Sequence, residues 1–249
     1  LTLAGLKNWV EYGIRNYGSH PERQKDFFSL QSADSRAVLQ RERHGTLLVD
    51  VEHKLDLYLR GLWQDGDHLV PYSTAFDEIR KPIPYYDKLG IRLPDVFDDA
   101  GEISGIDRYR AVLAHIVGHR RWSEAQIADN WSPFQRMAVE FFEDCRIETL
   151  LIREYPGLRR IFLALHPKPV ADACDPETTS CLRHRMAMLS RALLDPHHGY
   201  ADTDLNDFVA RFRAVMDKGE SSTSEIAALA LSYVAKTRRQ SDQLARVHF

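Results

Sequence analysis

The spacing of apolar side chains predicts that most of this chain forms amphipathic helices. Between Leu3 and Tyr17, apolar residues recur roughly every third or fourth position, which places them on one face of a helix. A similar stripe runs from Leu205 to Val215 behind Asp202, a residue type that caps helix N-termini. Comparable patterns predict helices at residues 21–28, 32–43, 46–63, 106–123, 135–160, 181–195 and 222–239. The predicted fold is therefore mainly α, a multi-helix bundle-like domain.

Residues 67–105 interrupt the helical pattern. Pro71, Pro82, Pro84 and Pro94 disfavour a long helix in this segment. The runs LVPYS and IRLPDVF predict two short strands, arranged as a small hairpin over the helical core. An irregular surface arm is the alternative. We therefore expect a small irregular or two-stranded β insert around residues 67–105.

Length and composition are ordinary for a globular protein. The 249 residues are 44% hydrophobic and 28% charged, which suits one helical domain over residues 1–249, with 1–105 and 106–249 as possible sub-lobes. The net charge of -3 gives no basic excess for nucleic acid. The first residue is Leu1, and the last, Phe249, ends an apolar-alternating stretch, so we expect an N-terminal domain cut from a longer protein.

Cysteine usage and hydropathy indicate the cellular compartment in which the protein is expected. No apolar run approaches the ~20 residues that span a bilayer, and no signal-peptide pattern opens the chain. Cys145 lies within a helical pattern and is expected to be buried. Cys174 and Cys181 are close enough in sequence to bridge the loop between them, although a reduced environment is favoured. The expected location is the bacterial cytoplasm.

The chemically capable side chains concentrate between residues 107 and 160. His115 and His119 lie four positions apart on one predicted helix, the spacing that lets two imidazoles bind one metal ion. Glu140 on the next helix is the candidate third ligand. A zinc peptidase also needs a glutamate directly after the first histidine as the general base, and Ile116 occupies that position. Peptidase activity is therefore rejected.

A structural role competes with metal binding for the same residues. Two histidines on an otherwise apolar helix can hydrogen-bond to carboxylates on the facing helix, because buried polar groups need partners. Glu143, Asp144, Arg146 and Glu148 are expected to form an ion network that links the helices. This structural interpretation is preferred, so no metal, cofactor or catalytic residue is assigned, and the chain is not expected to be an enzyme.

The run from His115 through Arg160 carries a family resemblance, which is strongest in residues 132–160. The run SPFQRMAVEFFEDCRIETLLIREYPGLRR resembles the region that precedes the von Willebrand A domain in bacterial CbbO and NorD proteins. Its E-D-x-R-x-E core (Glu143, Asp144, Arg146 and Glu148) is also similar to the cobaltochelatase subunit CobT. The segments LKNWVEYGIRNYG and HGTLLVDVEHKLDLYLRGLW look closer to CbbO than to NorD.

The resemblance implies a non-catalytic adaptor. CbbO-like proteins act with a hexameric MoxR-type AAA+ ATPase, CbbQ, to remodel inhibited Rubisco, whereas NorD-like proteins act with NorQ in assembling the metal centre of nitric oxide reductase. Their von Willebrand A domain carries an Asp-x-Ser-x-Ser motif that this sequence lacks. We therefore expect an N-terminal adaptor domain that partners a CbbQ-like ATPase, with Rubisco contacted through the missing C-terminal domain. A NorD-like activation factor and a His-x-x-x-His metal-binding module are the alternatives.

Overall fold

The computed structural model describes residues 3–42, 45–72, 83–174, 181–219 and 222–243. These residues form ten helices and five short strands, which confirms the mainly α fold with a small β insert. The helices are α1 (Leu3–Tyr17), α2 (Pro21–Phe28), α3 (Ala33–Arg41), α4 (Leu48–Trp63), α5 (Gly105–Trp122), α6 (Pro133–Glu154), α7 (Leu158–Leu165), α8 (Leu182–Leu194), α9 (Thr203–Asp217) and α10 (Thr223–Thr237). The strands are β1 (Thr46–Leu47), β2 (Leu69–Tyr72), β3 (Tyr85–Asp87), β4 (Gly90–Pro94) and β5 (Val96–Phe97).

Helix boundaries follow local capping chemistry. The Asp202 side chain accepts a hydrogen bond from the backbone of Leu205, which confirms it as the cap of α9. Ser222 and Glu225 form the predicted capping box of α10. The pattern predicted as one helix over residues 135–160 is divided into α6 and α7, because Pro156 lies at the break. Arg43, Ser73, the loop at 175–180 and the tail from 244 lie outside the described residues.

The β insert has a different topology from the predicted hairpin. The two expected strands, β2 and β4, do form, but they pair in parallel. The antiparallel partner of β4 is β3, which lies between them in sequence and turns directly into β4. Gly90 begins β4 with a φ of +133°, and a side chain there would collide with the carbonyl oxygen of His68. A second pair joins β1 to β5, so α4 begins at Leu48 instead of residue 46.

Two hydrophobic clusters meet along α6. The first cluster contains buried residues of α4, α5, α7 and the strands, together with Ile147 and Leu151 from the second half of α6. The second contains Val139 and Phe142 from the first half of α6, packed against α8, α9 and α10. The clusters therefore divide within α6. Helices α1 and α2 pack through an aromatic group in which Trp9 stacks on Phe27, and α3 contacts both helices, with the Trp9 ring N–H donating to Ser35.

Gly118 sets the approach of α5 to α6. A Cβ atom at this position would lie 2.3 Å from Cγ2 of Ile147 and 3.1 Å from Cδ1 of Leu151. These distances are shorter than van der Waals contact, so only glycine allows the two helices to pack at this separation. The close approach also determines how near the side chains on the facing sides of α5 and α6 can come.

The variant Gly118→Ala is expected to lower the free energy of unfolding by about 1–2 kcal/mol. Overpacking in a core costs about 1–3 kcal/mol, and the better helix propensity of alanine offsets up to about 1 kcal/mol. Urea denaturation measures the difference. Gly61→Ala is the matched control, because its Cβ would contact none of the described residues within 4 Å. It should be stabilising by about 0.5–1 kcal/mol, and equal effects at both sites would contradict the close approach at Gly118.

Candidate metal centre

His115 and His119 lie one turn apart on α5 and face Asp144 on α6. The Nε2 atoms of the two histidines are 3.0 Å apart. Oδ1 of Asp144 is 3.0 Å from Nε2 of His119 and 3.6 Å from Nε2 of His115. Among the described residues, these three form the one group of histidine, cysteine and acidic side chains with the geometry to hold a metal ion. The structure therefore brings the predicted histidine pair together with a carboxylate.

The acidic member of this group is Asp144, whereas the sequence analysis proposed Glu140. Both residues lie on the same face of α6, one turn apart, so the sequence spacing does not separate them. Glu140 lines the cavity beside the group. Ile116 is buried and lines the same cavity, so an apolar side chain occupies the position of the peptidase general base.

The second ring nitrogen of His119 belongs to a chain of hydrogen bonds. Its Nδ1 lies 2.8 Å from Oγ of Ser123, and that hydroxyl donates to Oε1 of Glu143 at 2.6 Å. Arg146 donates to both carboxylate oxygens of Glu143, at 2.7 and 2.8 Å. Thr223 at the start of α10 donates to Glu143 as well. His119 is thus oriented by a chain that ends in a buried ion pair.

The second ring nitrogen of His115 faces a different carboxylate. Its Nδ1 is 3.3 Å from Oε1 of Glu148, and Oε2 of Glu148 is 2.7 Å from Nε2 of His166. The other nitrogen of His166 contacts the hydroxyl of Ser190 on α8. Glu148, His166 and Ser190 are all buried. The Nδ1 atom of each histidine therefore contacts a different polar partner, Ser123 for His119 and Glu148 for His115.

The electrostatic environment favours ionised carboxylates. Burial by itself raises the pKa of Asp144, but hydrogen bonds from His115 and His119 outweigh this and lower the pKa well below its usual range. Burial lowers the pKa of His115, yet the hydrogen bonds and charges of Asp144 and Glu148 raise it overall to about 10. The pKa of Glu148 is lowered despite burial by the nearby His166 and His115. Asp144 and Glu148 are therefore ionised at neutral pH, and without a metal ion they stabilise a proton on His115.

A cavity of about 280 Å³ adjoins the group. His115 and Asp144 form part of its wall, together with Glu140 and Glu148. The remaining wall is mostly apolar, with Ile116, Met137, Phe141, Phe162 and Leu165 as its larger members. Side chains of the group are also partly open to solvent: His115 is 28% exposed and Asp144 is 45% exposed. A small ion or ligand therefore has access to the imidazole and carboxylate groups.

The four residues predicted to form one ion network contact separate partners. Glu143 pairs with Arg146 within α6, whereas Asp144 and Glu148 contact the histidines. Ser123, His166 and Ser190 were not among the site residues predicted from the sequence. Ser123 continues the four-residue spacing of His115 and His119, a signal that was present in the sequence. His166 and Ser190 reach the site only through tertiary packing, and no local pattern identifies them.

The prediction from the sequence is confirmed for one of the three cysteines, Cys145. Cys145 is buried and lines the cavity, and burial raises the pKa of its thiol. Cys174 and Cys181, in contrast, are joined by a disulfide, with their Cα atoms 5.9 Å apart. This corrects the expectation that both thiols are reduced.

Comparisons with known proteins do not identify the chain. No model of a protein family, no curated protein and no solved structure matches it. Within the described residues, no helix combines the length and apolar character required to cross a membrane. The resemblance to CbbO- and NorD-like proteins therefore rests on the residues quoted from the sequence, and the site rests on its geometry.

Proposed function

We propose that this chain is a non-catalytic adaptor domain for a MoxR-type AAA+ ATPase of the CbbQ kind, acting on inhibited Rubisco. The support is the resemblance of residues 132–160 to the CbbO and NorD proteins. A von Willebrand A domain elsewhere in the full protein would make the main contact with Rubisco. In this proposal the domain works in the bacterial cytoplasm, and the Cys174–Cys181 disulfide is the observation that argues against that location.

The observation that carries the proposal is the position of α6. This helix holds most of the segment that resembles the family, and it contributes to both hydrophobic clusters. Its Glu143, Arg146 and Glu148 are buried and bonded to groups on other elements, including Thr223 and His166. These contacts fix α6 within the fold and make it part of a rigid body. An adaptor requires such a body to present its outer surfaces to a partner.

Co-elution with the ATPase tests the proposal. The purified chain is mixed with a CbbQ-like hexamer, with and without ATP, and separated by size exclusion. Co-elution with this hexamer is the expected result. A NorQ-like hexamer in a parallel run tests the NorD-like alternative, because co-elution with that hexamer alone would transfer the assignment to nitric oxide reductase assembly. Co-elution with neither ATPase would contradict an adaptor contact in this domain.

The second candidate function is a metal-binding module. The specific observation in its favour is the convergence of His115, His119 and Asp144. It is compatible with an adaptor role, because a bound ion would fix α5 against α6 without requiring chemistry at the site.

A further inference from the structure

We propose that Nε2 of His115, Nε2 of His119 and Oδ1 of Asp144 bind one divalent transition-metal ion, with Zn²⁺ as the best-fitting ion. The distances between the three atoms are 3.0, 3.0 and 3.6 Å. Two ligands of a tetrahedral zinc ion, each about 2.0–2.1 Å from the metal, lie about 3.3 Å apart. A triangle with the observed sides fits on a sphere of about 2 Å radius, so one ion can contact all three atoms with little movement.

The outer hydrogen bonds direct nitrogen lone pairs towards the ion. Ser123 has one hydroxyl hydrogen and donates it to Glu143, so its oxygen accepts the N–H of Nδ1 in His119. Nδ1 of His115 lies 3.3 Å from Oε1 of Glu148, and an ionised carboxylate can only accept, so the contact favours the hydrogen of this imidazole on Nδ1. When a metal ion displaces any proton held between the two Nε2 atoms and Asp144, each neutral imidazole presents its lone pair on Nε2.

This arrangement differs from a simple histidine–carboxylate ion pair. When both imidazoles are neutral, two nitrogen lone pairs and one carboxylate oxygen converge, and they repel one another unless a cation lies between them. The alternative cation is a proton on one of the imidazoles. Metal-binding histidines characteristically donate their other N–H to a carboxylate or another oxygen acceptor, and here the Nδ1 atoms of both histidines face such acceptors. The outer partners Glu148 and Ser123 therefore favour a metal ion.

The donor set indicates the class of ion. Two imidazoles and one carboxylate suit zinc and other borderline divalent ions, whereas Ca²⁺ and Mg²⁺ prefer sites made of oxygen atoms. Three protein ligands leave at least one coordination position for water or a small ligand. The cavity of about 280 Å³ that His115 and Asp144 line is the space for such a ligand. The site is thus of the open type and not of the closed structural type.

Metal titration of the purified chain tests the proposal. The protein is stripped with a chelator, and Zn²⁺ binding is measured at pH 7.5 by competition with a chromophoric chelator, with metal analysis of the dialysed complex. One equivalent is expected for the wild type. Removal of an outer partner of a metal ligand costs about 10–100-fold in affinity. His119→Ala and Asp144→Asn, which remove ligands, should each cost at least about 100-fold, and Glu148→Gln about 10–100-fold.

Two controls separate metal binding from folding and from surface binding. His53→Ala removes an exposed histidine of α4 and should leave the affinity unchanged. Co²⁺ substitution of the wild type should give the visible absorption of a tetrahedral site, and this readout needs no variant to fold. Circular dichroism identifies any variant that unfolds. Less than one equivalent of Zn²⁺, an unchanged affinity in folded His119→Ala and Asp144→Asn, or a Co²⁺ spectrum without tetrahedral bands would each overturn the proposal.

Discussion

The variant Arg146→Ala is expected to lose about 3–5 kcal/mol of the free energy of unfolding, because it leaves a buried carboxylate without its cation. Arg146 is 1% exposed and Glu143 is 6% exposed. The guanidinium donates two hydrogen bonds to Glu143 and one to the backbone carbonyl of Trp122 at 2.6 Å. Its loss therefore removes a connection between the end of α5 and α6. Chemical denaturation monitored by circular dichroism measures the effect.

Two further variants test whether the loss of stability comes from the unpaired charge of buried Glu143. Arg153→Ala removes an arginine from the same helix whose side chain is 44% exposed, and the expected loss is below about 1 kcal/mol. The double variant Glu143→Gln, Arg146→Met removes both charges, so it should be more stable than Arg146→Ala alone. A loss at Arg146 no larger than that at Arg153 would contradict the assignment of a buried ion pair.

Phe142→Ala and Ile147→Ala are each expected to lower the free energy of unfolding by several kcal/mol. Both side chains are fully buried on α6, but Phe142 belongs to the second hydrophobic cluster and Ile147 to the first. Truncation of a buried phenylalanine costs about 3–5 kcal/mol, and of a buried isoleucine about 2–5 kcal/mol. Because one helix contributes to both clusters, both variants should shift the same single unfolding transition.

Thermal unfolding followed by two probes distinguishes the outcomes. Near-ultraviolet circular dichroism reports aromatic packing, and far-ultraviolet circular dichroism reports helix content. Coincident transitions in both variants are expected for one cooperative unit. The solvent-facing Val49→Ala on α4, where the side chain is 64% exposed, is the control and should change stability little. Two separate transitions in either variant would show that the clusters unfold independently.

Local patterns predicted the helices well and the pairing of strands poorly. The stripe from Leu205 to Val215 lies within α9, and the caps at Asp202 and Ser222 begin α9 and α10 as predicted. These features depend on residues close in sequence. The parallel pairing of β2 with β4 requires a crossover connection between the two strands. No short-range pattern of residues predicts such a connection.

The candidate site was predicted in part for the same reason. The spacing of His115 and His119 on one helix is a local property, so the pair was identified from the sequence alone. The choice between Glu140 and Asp144 depends on how α6 crosses α5, which the close contact at Gly118 determines. His166 joins the site from beyond α6 through tertiary packing, and residue spacing alone does not reveal it.

The most direct test of the proposed metal centre is a crystal structure of the protein with one equivalent of Zn²⁺, with data collected on both sides of the zinc absorption edge. We expect one strong anomalous peak about 2.0–2.2 Å from Nε2 of His115, Nε2 of His119 and Oδ1 of Asp144. The contacts of the two Nδ1 atoms with Glu148 and Ser123 should be retained. An anomalous peak at other residues would contradict the metal centre. So would the absence of a peak between the two histidines in crystals of the zinc-loaded protein.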